Sequence, residues 1–249
     1  MTALSLPHEH ADGAPDAPVL VLLHGTGGAP GDLRGLAEQL SPRSPVLAPA
    51  GPVSEGGAAR WFRRLAEGVF DTEDVVARAH QLADFLAEAV DAYGWRGRRL
   101  VAVGFSNGAN IAAAVALLRP EVLAEAVLFA AMLPVPDAPR HDLTGTRVFL
   151  GNGQADPMAP LAAANGLVEA LTTRGAEITT SWHPGGHQIT AAGVRPAAPR
   201  CGPRTGTCPR WAGGGSRACA VRSSPRLPGS ARTTTCGWSR AGSATPRRR

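Results

Sequence analysis

The pentapeptide Gly104-Phe105-Ser106-Asn107-Gly108 stands between an apolar run, LVAV, and a helical run, ANIAAAVALL. A serine hydroxyl becomes a strong nucleophile only when a neighbouring base takes its proton, so its presentation matters as much as its identity. A tight strand-to-helix turn presents it well: the serine is held in a strained backbone conformation, and Gly104 and Gly108 supply the room such a turn needs. A near match, Gly237-Trp238-Ser239-Arg240-Ala241, has no strand before it, and Ser239 is assigned no role.

The base and its partner follow along the chain. An apolar run, RVFLGNG, leads into Asp156, and another, EITTSWH, leads through Pro184-Gly185-Gly186 to His187. Both acidic and imidazole side chains are therefore expected at strand ends, in the chain order Ser, Asp, His. In that arrangement His187 takes the proton from Ser106, and Asp156 sets the imidazole tautomer and stabilises the imidazolium. Pro157 also suits Asp156 to a helix N-cap, and the two roles are compatible.

Acyl transfer creates an oxyanion, which needs backbone N–H donors. Leu22-Leu23-His24-Gly25-Thr26-Gly27-Gly28 ends the first strong apolar run, and the amides of Thr26 and Asn107 are the candidate donors. A phosphate loop is the rival reading of these glycines. It fails because Pro30 stands where the third glycine of G-x-G-x-x-G would fall, and no Gly-Lys-Ser/Thr follows. His24 reads as a structural histidine beside the loop. His183 and His187 have the spacing of a helical metal pair, but Pro184 and Gly185 between them forbid the helix, so no metal site is expected. Trp61, Phe62 and Phe70, in the long connection after the second buried run, are candidates for a substrate pocket, with ordinary packing beneath a loop as the alternative for each.

These residues need a frame that brings strand ends together. Apolar runs at 18–25, 44–49, 98–106, 125–132, 147–153 and 177–183 suit strands buried on both faces. Amphipathic segments separate them: Leu33, Leu36 and Leu40 share a face, as do Val75, Leu82, Leu86 and Tyr93, and Leu161, Ala164, Val168 and Leu171. Such alternation predicts an α/β fold with a mostly parallel, doubly wound sheet, helices on both faces, and ligands at the carboxyl ends of the strands.

Charge is distributed unevenly along the 249 residues. All 20 acidic residues precede position 191, whereas residues 191–249 hold 12 Arg and no acid. The first 190 residues thus carry a formal charge of about −7, so the basic balance gives no support to nucleic-acid binding by the domain. Residues 1–191 are read as the folded domain. The segment 192–249, rich in Gly, Pro, Arg and Cys, reads as a disordered basic tail or as GC-rich coding sequence translated out of frame. Its four cysteines lack paired C-x-x-C spacing, which supports neither zinc binding nor a disulfide framework. No secretory leader or membrane-spanning run is seen, and a cytoplasmic location is expected.

The motifs LLHGTGG, APAGPVSEGG, FRRLAEGVFD, GFSNGAN, GQADPMAP and HPGGHQIT, from about Pro18 to Ile189, make the chain resemble the bacterial phospholipase/carboxylesterase family of small α/β hydrolases, related to the acyl-protein thioesterases. The resemblance implies the α/β hydrolase fold and hydrolysis of small-molecule carboxylic esters without metal or cofactor, and it carries onto Ser106, Asp156 and His187. Relatives often have an Arg in the segment matching LFAAMLP, where this chain has Ala130 and Ala131. They also end in an amphipathic helix, in place of which AAGVRPAAPR is read here as irregular. Loss of that helix would expose apolar surface, and it motivates a second hypothesis: an inactive or poorly folding hydrolase-like chain acting at most as a binding domain. A dienelactone-type hydrolase is disfavoured, since those relatives use a cysteine nucleophile and no Cys precedes position 201.

Overall fold

The computed structural model describes residues 4–66 and 68–201. All of them fall within one compact unit. In chain order the elements are β1 (His8–Ala11), β2 (Val19–Leu23), α1 (Arg34–Leu40), β3 (Val46–Pro49), β4 (Val53–Glu55), β5 (Ala58–Arg60), β6 (Arg64–Ala66) and β7 (Val69–Phe70). There follow α2 (Thr72–Ala92), β8 (Leu100–Phe105), α3 (Asn107–Leu118), β9 (Glu125–Phe129), β10 (Arg147–Gly153), α4 (Leu161–Thr172), β11 (Glu177–His183) and α5 (Ala191–Cys201).

Seven strands form the main sheet in the order β1-β3-β2-β8-β9-β10-β11. Every pairing is parallel except that of β1 with β3. From β2 the chain first moves outward to β3, then crosses back and proceeds through β8 to β11. The order reverses between β2 and β8, and a crevice opens outside their carboxyl ends at such a switch point. Two short antiparallel hairpins, β4 with β5 and β6 with β7, fill the connection between β3 and α2.

The inner strands β2, β8, β9 and β10 are buried on both faces, as their continuous apolar runs require, whereas the edge strands β1 and β11 are partly exposed. In β2, Val19, Val21 and Leu23 point into the larger apolar layer, which packs under α2, α3 and α4. Leu20 and Leu22 point into the smaller one, under α1 and α5. Helix α3 is buried over its whole length. Its sequence shows no polar stripe, as befits a helix enclosed on all sides. No helix of the described residues is long and apolar enough to cross a membrane.

The expected break after residue 191 is corrected. Residues 191–201 form α5, which packs on α1 and inserts Val194 and Ala197 into the layer that contains Leu36, Phe129 and Phe149. Thr190 opens it: its carbonyl oxygen accepts from the amides of Gly193 (2.9 Å) and Val194 (3.0 Å), and its hydroxyl from Gly193 (3.1 Å). Pro196 obscures the helix in the sequence, yet its ring lies on the exposed side, and the two small apolar residues three apart suffice for the contact. The remainder of the expected tail, 202–249, lies outside the described residues.

Candidate active site

Strand β8 ends at Phe105 and α3 begins at Asn107, leaving Ser106 alone in the turn with φ 53° and ψ −118°. Positive φ is unfavourable for a residue with a Cβ, and such strain persists only where neighbours over-determine it. Here the Ser106 amide donates to the Phe129 carbonyl (2.9 Å), and its carbonyl accepts from the Asn110 amide (2.9 Å). The flanking glycines are required by contact. A Cβ on Gly104 would lie 2.7 Å from the backbone of Ala109, and one on Gly108 would collide with the Leu23 carbonyl.

The loops after β10 and β11 are stitched together. Gln154 donates its amide to the His183 carbonyl (2.8 Å), and Ala155 donates to that of Gly185 (3.1 Å). Gly153 admits this approach, because a Cβ there would strike the Gly185 and Gly186 carbonyls. Asp156 is buried. Its Oδ1 accepts from the amides of Met158 (2.8 Å) and Ala159 (3.0 Å), so the carboxylate also caps its own turn. Its Oδ2 lies 2.8 Å from His187 Nδ1, and His187 Nε2 lies 2.8 Å from Ser106 Oγ. The structure thus brings together the three side chains singled out in the sequence. The ring of Phe105 packs against that of His187, with centroids 5.1 Å apart.

His183 and His24 serve the loops. His183 Nδ1 accepts from Gly185 N and its Nε2 donates to the Gln188 carbonyl, both at 3.2 Å, which places this ring across the base of the His187 loop. Buried His24 donates from Nδ1 to the Gly25 carbonyl (2.7 Å) and accepts at Nε2 from Gly51 N (2.9 Å), so both ring nitrogens are engaged by backbone. Among the described residues no group of three or more His, Cys, Asp or Glu is placed to hold a metal ion.

Thr26, Ser106, Asn107 and His187 line one cleft. The amides of Thr26 and Asn107 donate to no other group of the described residues. Phe70, Ala130, Met132 and Met158 form an apolar wall, and Arg60 and Arg64 a polar one. Trp61 and Phe62 do not line the cleft, which corrects two of the three pocket candidates. They are 1% and 0% exposed: Phe62 packs edge-on to Phe70 with centroids 4.9 Å apart, and Trp61 sits against the His24 ring at 5.2 Å. A loop of hairpins forms a layer of its own, so the residues at its base become core. Asn110 was missed in the sequence, although its position one helical turn beyond Ser106 was a signal. It lines the cleft and accepts from Met132 N (2.9 Å), while Asn152 grips both the amide (3.1 Å) and the carbonyl (2.8 Å) of Ala131. Just before those anchors Ala130 takes φ 52°, so this wall too is held in a strained turn.

A doubly wound sheet with a serine in a strained elbow at its switch point is that of an α/β hydrolase. Residues 10–198 match the model of the phospholipase/carboxylesterase family. The chain belongs to this family of carboxylic ester hydrolases. It is 40% identical over 185 residues to MhqD of Bacillus subtilis (strain 168), itself classed as a hydrolase, a match covering 74% of this chain and 92% of that one. The crystal structure of the Bacillus cereus carboxylesterase is similar, with 41% identity, a TM-score of 0.75, and coverage of 78% of this chain and 92% of that chain. So is a carboxylesterase from Mesorhizobium loti, at 28% identity and a TM-score of 0.74, covering 80% and 95% respectively.

Proposed function

We propose that the chain hydrolyses small-molecule carboxylic esters through an acyl-enzyme intermediate, with Ser106 as nucleophile, His187 as general base and Asp156 as its orienting acid. The observation that carries this reading is the unbroken relay of two 2.8 Å contacts, Asp156 Oδ2 to His187 Nδ1 and His187 Nε2 to Ser106 Oγ. Ser106 Oγ attacks the ester carbonyl carbon as His187 Nε2 takes its proton, giving a tetrahedral oxyanion and an imidazolium facing the Asp156 carboxylate. The amides of Thr26 and Asn107 receive the oxyanion; two such donors in a site shielded from water lower the barrier by several kcal/mol. Collapse of the oxyanion expels the alcohol, which leaves with the proton from His187. Water then repeats the sequence: it gives a proton to His187, adds to the acyl carbon, and releases the carboxylic acid as Ser106 recovers its proton. The reaction so written uses no metal or cofactor.

The second hypothesis, an inactive chain lacking its terminal helix, loses its premise in α5. The test of the first is Ser106→Ala. Hydrolysis of p-nitrophenyl acetate and labelling by a fluorophosphonate should both vanish while the thermal unfolding midpoint stays unchanged. Full labelling of Ser106→Ala protein would refute the assignment, and Ser239→Ala should behave as the native chain.

A further inference from the structure

We infer that Trp61 is a positioning residue, which sets the spacing of the two oxyanion donors by clamping the loop after β2 to the start of α3. Strands β2 and β8 are in register as far as Leu23 and Gly104, and there the ladder stops. The donors lie beyond it, Thr26 on one side and Asn107 on the other. Trp61 spans that gap. Its indole Nε1–H donates to the His24 carbonyl (2.9 Å), one peptide before the one that carries the Thr26 amide. Its backbone N–H donates to Asn107 Oδ1 (2.7 Å), the side chain of the other donor residue.

The surroundings make this a fixed tie. Trp61 is 1% exposed, so neither hydrogen bond competes with bulk water. The Nδ2 of Asn107 is buried without a partner, which leaves the bond from Trp61 to orient that amide. The neighbours of Trp61 hold the same loop from the same side: the Ala59 carbonyl accepts from Gly27 N (2.8 Å), and Arg60 Nη1 donates to Thr26 Oγ1 (3.0 Å). Donors act on the transition state only when they meet the place where the oxyanion forms, so a shift of one donor weakens transition-state binding and leaves substrate binding nearly as before.

This inference rests on the proposed roles of Ser106, Thr26 and Asn107. Trp61→Phe keeps most of the ring and removes the indole N–H; Asn107→Ala keeps its backbone amide and removes the acceptor. In each variant kcat for p-nitrophenyl acetate should fall by about 10-fold or more with KM changed less than about twofold. The Ki of phenylboronic acid, whose boron becomes tetrahedral on taking up Ser106 Oγ, should rise by the same factor as kcat/KM falls. Because both substitutions break one clamp, the double variant should lose far less than the product of the single losses. A folded Trp61→Phe protein with native kcat, a rise in KM alone, or fully multiplicative losses would overturn the inference. Should Trp61→Phe fail to fold, Asn107→Ala decides by the same kcat and Ki criteria. If Ser106→Ala abolishes activity while these variants leave kcat intact, the clamp fails and the triad stands; if Ser106→Ala stays active, the triad itself fails.

Discussion

The carboxylate of Asp156 does two things with two oxygens. Oδ1 is committed to the amides of Met158 and Ala159, and Oδ2 to His187. In Asp156→Asn the amide oxygen is held by those same two N–H groups, which turns the NH2 toward His187. Nδ1 must then accept, the ring proton moves to Nε2, and the imidazole can no longer take the proton of Ser106. We expect kcat to fall by about 10³- to 10⁴-fold with the fold intact; a loss below tenfold would show that the tautomer is not set here. These three residues were legible in the sequence because each closely follows a run that reads as a strand, and strand ends of a parallel sheet converge. Trp61 and Phe62 were not. Whether an aromatic in an irregular connection faces a ligand or the core depends on how β4 to β7 fold back, and no periodicity encodes that.

At the scale of elements, the six strands β2, β3 and β8 to β11 and the helices between them could be read from the sequence pattern, although β11 is a partly exposed edge, whereas the short hairpins and α5 could not. The contribution of α5 is two small side chains, Val194 and Ala197, inserted between α1 and the sheet. Val194→Asp should therefore lower stability by about 3 kcal/mol in urea unfolding, since it sets a carboxylate among Leu36, Phe129 and Phe149. Arg195→Asp, on the exposed side, should stay within about 0.5 kcal/mol of the native chain. Equal effects of the two would mean that α5 does not dock as described. The start of α2 gives a pH-dependent case. Asp71 caps it, and the Asp74 amide, with the Arg63 guanidinium second, holds the Asp71 carboxyl below its usual range. A lowered folded value means that the contribution is present above the unfolded value, about 3.9, and is lost as pH falls through the folded one. Asp71→Ala should accordingly lower Tm at pH 7, and its deficit should shrink as the pH drops below about 4.

For the molecule as a whole, the proposed site lies where the chain order reverses, between β2 and β8. The domain uses the two faces of the sheet unequally: three helices cover one and two the other. The elbow is backed by α3, which has no residue at the surface. That burial has a kinetic meaning. Amides of such a helix exchange with solvent deuterium only through the rarest openings, those of global unfolding. The serine at its N-terminus therefore keeps its geometry for as long as the domain is folded, and cannot be lost to fraying. Amides of Ile111 to Leu118 should be the slowest to exchange. On heating, the capacity of Ser106 to react with a fluorophosphonate should decay at the midpoint of whole-domain unfolding rather than earlier, so that labelling by this reagent becomes a clock for the unfolding of the entire sheet.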